Sequence, residues 1–220
     1  MTSPLDWLLP ARRDPSTVVR LDDVGPIGWQ VLLRDGALDH VWGEVAIPAN
    51  HPSGRAERAI ALAPHVPARA VVGRMAAAWV HTGRTPPTTL DLLVEPGRRR
   101  LSPDPARRTR ECPLPEADID TVSDVRVTSV QRTGLDLARW GAPSDPELLA
   151  EIAALLDLGF DPRTALDELD GLSGQRGLRA ARETLQLLVE RHALPTGSPS
   201  ARRSHTRMAG SSALREPVIR

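Results

Sequence analysis

Between Val125 and Trp140 the chain changes its period. Val125, Val127 and Ser129 alternate with Arg126 and Thr128, and a spacing of two predicts a half-buried strand. Leu135, Leu137 and Ala138 then fall within about one helical turn, leaving Arg132, Asp136 and Arg139 for the solvent side of a helix. Ser129 stands where an N-cap belongs, because its hydroxyl can accept from the free amides of a first turn. Gly141 and Pro143 close the helix. A strand running straight into a helix is thus the joint of the chain.

Upstream, Val18–Val24 reads as a strand or a short helix, broken by Gly25-Pro26. Trp29–Arg34 is a short helix stopped at Asp35-Gly36, with Trp29 and Leu33 packing inward. Leu38, His40 and Trp42, then Val45 and Ile47, are two alternating runs joined by Gly43-Glu44, a hairpin signal. Helix, turn and two-stranded wing is the order of a winged helix-turn-helix. The expected first unit spans residues 1–50 and is a degenerate version of that fold.

Residues 51–140 predict a mixed α/β domain of order β-α-β-β-β-α, preceded by a helix from Gly54 to Ala63 capped by Ser53. Its pieces are a strand at Ala70–Val72, a helix at Gly73–His81 with Gly83 behind it, strands at Thr89–Glu95 and Arg107–Cys112, a polar loop at Glu116–Asp120, and the joint. Residues 141–192 predict a helical extension. Ser144-Asp145-Pro146-Glu147 has capping-box spacing with Pro at the first helical position, and Asp161-Pro162 and Leu178 open two further helices. Residues 193–220, rich in Arg, Ser and Pro, predict a disordered tail. The expected fold class is α+β.

Composition narrows the chemistry. All 28 basic residues are arginine, there is no tyrosine, and one cysteine, Cys112, excludes an internal disulfide framework. Net charge is zero but uneven. Residues 1–50 carry four Arg against seven acids, 51–140 carry 14 against ten, 141–190 carry four against ten, and 191–220 carry six against one. No positive-then-apolar leader and no apolar run near 18 residues is present. The expectation is a soluble, cytoplasmic protein with no membrane partner.

Phosphate-loop, nucleophile-elbow and paired His/Cys ligand spacings are absent. Six histidines are scattered, and His81, beside a helix end, reads as a structural hydrogen-bonding residue. Asp167, Glu168 and Asp170 read as a solvated face, and Cys112 as an inert thiol. No catalytic residue, metal site or cofactor is expected.

Four segments together resemble a known family. They are AVVGRMAAAWVHTG (70–83), TTLDLLVEPGRRR (88–100), RTRECPLPEADI (108–119) and VRVTSVQRTGLDLAR (125–139). In this order they resemble the AbiEi-family antitoxins of type IV toxin–antitoxin systems, particularly actinobacterial members. Trp79-Val80-His81-Thr82-Gly83 corresponds to one family motif, and Thr128, Arg132-Thr133 and Asp136-Leu137 to another. Gly73 stands where the first motif has a helix-capping serine, and the hairpin lacks the family's Arg pair and Tyr. The resemblance covers roughly residues 18–140 and implies a winged helix-turn-helix ahead of the α/β domain.

What the resemblance implies is an antitoxin-like repressor that binds double-stranded DNA at its own promoter and counteracts a toxin resembling nucleotidyltransferases. The alternative is a non-catalytic interaction or regulatory module, a truncated relative of proteins that continue into a very-short-patch-repair-like nuclease domain. That nuclease chemistry ordinarily uses a Lys, and this chain has none, so the expectation is a protein that is not an enzyme. For DNA, Gln30 and Arg34 are the expected base readers, since Gln pairs with adenine and Arg with guanine. Arg98, Arg99, Arg100, Arg107 and Arg108, with Arg12, Arg13 and Arg110, are the expected phosphate contacts.

Overall fold

A computed structural model describes residues 18–97, 102–142, 144–172 and 176–193. The expected disordered tail from residue 194 on and Arg12, Arg13 and Arg98–Arg100 lie outside the described residues, while Ala193, placed in that tail, is the last residue of a helix. Among those described the chain is mixed α+β, with seven α-helices and two sheets.

The first sheet is small. β1 (Val19–Arg20) passes directly into α1 (Leu21–Arg34). At Gly25 φ is +70°, a left-handed value that glycine adopts without a Cβ penalty, and it divides α1 in two. Pro26 opens the second segment, where its missing amide proton costs no hydrogen bond. β2 (Leu38–Trp42) and β3 (Val45–Pro48) form the expected hairpin, and the antiparallel sheet order is β1-β3-β2. One detail differs from strict alternation. The register shifts between His40 and Trp42, so Leu38 and Val41 are the buried positions of β2 and His40 is exposed.

The second sheet has the order β6-β5-β4-β8-β7. Its elements follow α2 (Arg55–Leu62): β4 (Val71–Val72), α3 (Arg74–Thr82), β5 (Leu90–Val94), β6 (Arg107–Glu111), β7 (Ile119–Val122), β8 (Val125–Thr128) and α4 (Val130–Trp140). β4 pairs β8 in parallel, as does β5 with β6; the other pairings are antiparallel. β7 corrects the expected polar loop, which continues beyond one 3-10 turn into a strand. Ser123 and Asp124 both have positive φ, +47° and +65°, the twist of a two-residue hairpin turn. Ser-Asp lacks the Asn-Gly signature of such turns, so the sequence pattern hid it. Two helix starts, those of α2 and α3, also shift by one residue, since Gly54 and Gly73 precede the helices instead of opening them. Gly54, not Ser53, precedes α2, and its amide donates to Glu57 Oε2 at 2.9 Å.

The third group is α5 (Pro146–Leu156), α6 (Pro162–Asp170) and α7 (Leu178–Ala193). The side chain of Asp145, not Ser144, caps α5 by accepting from the amides of Glu147 and Leu148. Asp161 caps α6 in the same way at Arg163.

Packing ties these parts together. Val18, Val41, Val45 and Ile47 of the N-terminal unit share one core with Ala59, Leu62, Val72, Trp79, Leu92 and Val127. A second core joins Ala78 of α3 and Leu135, Leu137 and Ala138 of α4 to α5–α7 through Ile152, Leu155, Ala165, Leu169 and Leu185. The alternating and 3.6-residue patterns therefore bury one face of each element, and the free energy lies in those faces rather than in intrinsic propensity.

Candidate functional site

The second segment of α1 presents Gln30 and Arg34 on one exposed face, four residues apart. Trp29 is buried against Leu38 and Ala46, and Leu33 packs on the same cluster, so the inward and outward sides fall as expected. Arg34 Nε donates to Asp35 Oδ1 at 2.9 Å. That pair is exposed on both sides, and such pairs contribute little, so Arg34 can exchange Asp35 for another acceptor. Ile27, 83% exposed, and Val31 stand on the same stretch of helix. The hairpin beside it is held down at its base. Trp42 Nε1 donates to the Pro87 carbonyl at 2.8 Å and its ring meets His65 edge-on.

The other described candidates lie on β6, the outer strand of the second sheet. Arg107 and Arg108 are adjacent, so they point to opposite faces. Arg107 is turned into its own loop, donating to the Ser102 carbonyl at 3.2 Å and lying 3.6 Å from Asp104. Arg108 is exposed. The structure thus brings Gln30 and Arg34 together, and places Arg107 and Arg108 on a different sheet.

The motif residues at the joint form a buried polar network. Ser129 caps α4, accepting from the Arg132 amide at 3.2 Å. Arg132 Nε donates to Asp136 Oδ2 at 3.0 Å, and its other nitrogens reach Asp118 and the Pro113 carbonyl. Arg139 Nη1 lies 3.9 Å from Asp136 Oδ1. Arg132, Asp136 and Arg139 are exposed by only 9, 2 and 6%. This corrects the expectation that the three face water. The segment after β6, through Pro113 and Asp118, and the residues that follow α6, through Arg176, cover that polar side of α4. Burial pushes the Asp136 carboxyl up, against the pull of Arg132 and Arg139.

Thr128, Thr133 and His81 extend the network to α3. Thr128 Oγ1 and Thr133 Oγ1 share a hydrogen bond at 2.7 Å, and Thr133 Oγ1 also reaches the Thr128 carbonyl. His81 Nε2 lies 2.7 Å from that same carbonyl. A carbonyl only accepts, so Nε2 carries the proton. The structural role expected of His81 is what this bond gives it. Burial lowers its pKa, against the bond to the Thr128 carbonyl and the charge of Asp120, with Arg55 and Arg58 acting in the same direction as burial.

Several charged residues of this region had no reading from the sequence. Arg74 is the first residue of α3 and has φ +55°, an unfavourable value for a non-glycine residue. It lies 3.8 Å from Asp91 of β5, both nearly buried. Glu151 of α5 is 1% exposed and accepts from Thr82 Oγ1 at 3.0 Å and Thr85 Oγ1 at 2.8 Å. The available signal was weak: a charge inside an apolar stripe, as Glu151 is between Leu148 and Ile152. Cys112 is half-buried with its thiol pushed up to about 11 by burial, which suits an unreactive residue.

Among the described residues no group of three or more His, Cys, Asp or Glu is placed to hold a metal ion, and no helix is long and apolar enough to cross a membrane. No family model matches the chain, and no curated protein matches it either.

Proposed function

We propose that the chain is an antitoxin-like transcriptional repressor, cytoplasmic and acting on its own promoter, that opposes a nucleotidyltransferase-like toxin. The observation that carries the DNA-binding part is the order β1, helical turn, Gly25 break, second helix segment, β2–β3 hairpin, with sheet order β1-β3-β2. A winged helix-turn-helix is built in that sequence, and its second helix is the one that reads the major groove. In this reading the segment Pro26–Arg34 is the recognition helix, with Gln30 and Arg34 at base edges and Arg108 and the Arg98–Arg100 stretch on phosphates. The antitoxin part rests on the resemblance in the sequence.

A second reading is favoured by Ile27 and Val31. Two exposed apolar side chains one turn apart on a helix of a net-acidic segment suit a protein partner better than a polyanion. The experiment that separates the two is a salt titration of binding to the upstream promoter, followed by fluorescence anisotropy, for the wild type, Gln30→Ala and Arg34→Ala. The repressor reading expects specific binding, and each variant to lose about 1–3 kcal/mol of discrimination between sequences. No binding above the non-specific level at about 50 mM salt would discard it in favour of the interaction module.

A further inference from the structure

A cavity of about 830 Å³ opens beside the joint, with walls from β5, β6, α4 and the end of α6. Its size falls in the range of about 300–1,000 Å³ in which small molecules bind. Its two ends differ in charge. They are set by α4, along which Arg132 and Trp140 are separated by eight residues, or about 12 Å.

The Trp140 end is cationic. The guanidinium carbons of Arg74, Arg110 and Arg139 lie 5.8, 6.0 and 5.2 Å from the centre of the indole ring. Three like charges around one ring repel one another, and the two carboxylates beside them, Asp91 at 3.8 Å from Arg74 and Asp136 at 3.9 Å from Arg139, offset this in part. Two are weakly engaged. Arg74 reaches Asp91 only at 3.8 Å, without a hydrogen bond to it, and Arg110 has no ion pair among the described residues. Arg74 is also held at a strained φ of +55° at the start of α3, where Gly73 has no side chain to cap the first-turn amides. Convergent guanidiniums are an arrangement that takes phosphate.

The Arg132 end is acidic. Arg132 takes up Asp136 and part of Asp118, and Glu168 stands close enough to Asp118 for the two charges to repel. Burial and that repulsion raise the Glu168 carboxyl. Between the ends the walls include Leu93, Leu135 and Leu172. The cavity therefore asks for an anionic group, an apolar planar body and hydrogen-bond donors, in that order.

We propose that this cavity binds a free nucleotide whose base carries an amino group, with the phosphates among Arg74, Arg110 and Arg139 and the base facing Asp118 and Glu168. The site makes no use of the exposed face of α1, so it stands or falls independently of promoter binding. The test is isothermal titration calorimetry of the full chain, without promoter DNA, against ATP, GTP, CTP, UTP, inorganic pyrophosphate and a 5′-phosphorylated single-stranded oligonucleotide. Arg110→Ala and Glu168→Ala are the variants, since both side chains are exposed on one side and their loss leaves the cores intact. Circular dichroism confirms that each is folded.

The expected result is binding of at least one amino-bearing nucleotide about ten-fold tighter than UTP or pyrophosphate. Arg110→Ala then weakens it by about ten-fold, the scale of a lost charge-assisted bond. Glu168→Ala narrows the gap to UTP. Absence of binding by every nucleotide, equal binding of pyrophosphate, or affinity unchanged in Arg110→Ala would each overturn the proposal. Tighter binding of the oligonucleotide than of any mononucleotide would overturn it in favour of a nucleic-acid end.

Discussion

Arg132 and Asp136 are joined across one turn of α4, Nε to Oδ2 at 3.0 Å, with both side chains shut away from solvent. On a surface helix such a pair contributes little. Here each partner relieves the desolvation of the other, and removing one leaves a buried charge. Arg132→Met should therefore cost about 3–5 kcal/mol of stability. Asp136→Asn keeps an acceptor for Arg132 and should cost about 1.5–3 kcal/mol. The double variant Arg132→Met/Asp136→Leu should cost clearly less than the sum of its parts, because it removes both charges together. Urea unfolding of the three variants measures this. Single-site losses below about 0.5 kcal/mol would show that the pair behaves as if exposed.

Gly73 invites a capping change that the packing opposes. A serine there could cap α3, a gain over glycine of only a few tenths of a kcal/mol. A Cβ at this position, however, would lie 2.7 Å from both Cγ and Cδ1 of Leu93, which is 3% exposed. Overpacking costs about 1–3 kcal/mol, which exceeds the capping gain even though Leu93 borders the cavity. Gly73→Ser should lower stability by that amount in chemical denaturation, and Gly73→Ala should do the same. A stabilised serine variant would mean that Leu93 yields freely.

His81 makes stability depend on pH. Its Nε2–H is satisfied by the Thr128 carbonyl, while buried Nδ1 has no hydrogen-bond partner among the described residues, so a second proton has nowhere favourable to go. The folded-state pKa is lowered from 6.5. Below 6.5 the unfolded chain consequently binds more protons at this site than the folded one. The contribution is fully present above the unfolded value and is lost as pH falls from there towards the folded one. One such group changes stability by at most about 1.4 kcal/mol per pH unit. His81→Gln should flatten the decline between about pH 7 and pH 5, read as midpoints of urea unfolding at each pH. A wild-type profile already flat over that window would refute the assignment.

Local signals carried much of the architecture. Gly25-Pro26, Gly43 and Gly83 mark turns because glycine reaches positive φ without a Cβ penalty and proline fixes its own φ, whatever surrounds them, and each ends or bends an element where expected. Ser129 caps α4 because a hydroxyl beside free amides needs no tertiary partner. β7 was hidden because Ser123 and Asp124 adopt left-handed conformations that neither residue type requires. The strand exists because Ile119–Val122 has β8 to pair with.

The sequence by itself determined the order of most helices and strands and the inward side of Trp29 and Leu33 on α1, since periodicity and capping are properties of neighbours along the chain. Only the tertiary structure decided which polar residues are buried. Arg132, Asp136 and Arg139 look like a solvated helix face in one dimension, and Glu151 looks like an ordinary helical acid. Their burial follows from distant segments: Thr82 and Thr85 close over Glu151, and Pro113, Asp118 and Arg176 close over the other three. The same is true of Arg74, Arg110 and Trp140, which are far apart in the chain and meet only because β5–β6 and α4 bound one cavity. Whether a charge is solvated or confined depends on what packs against it from distant segments, and local sequence does not encode that distance.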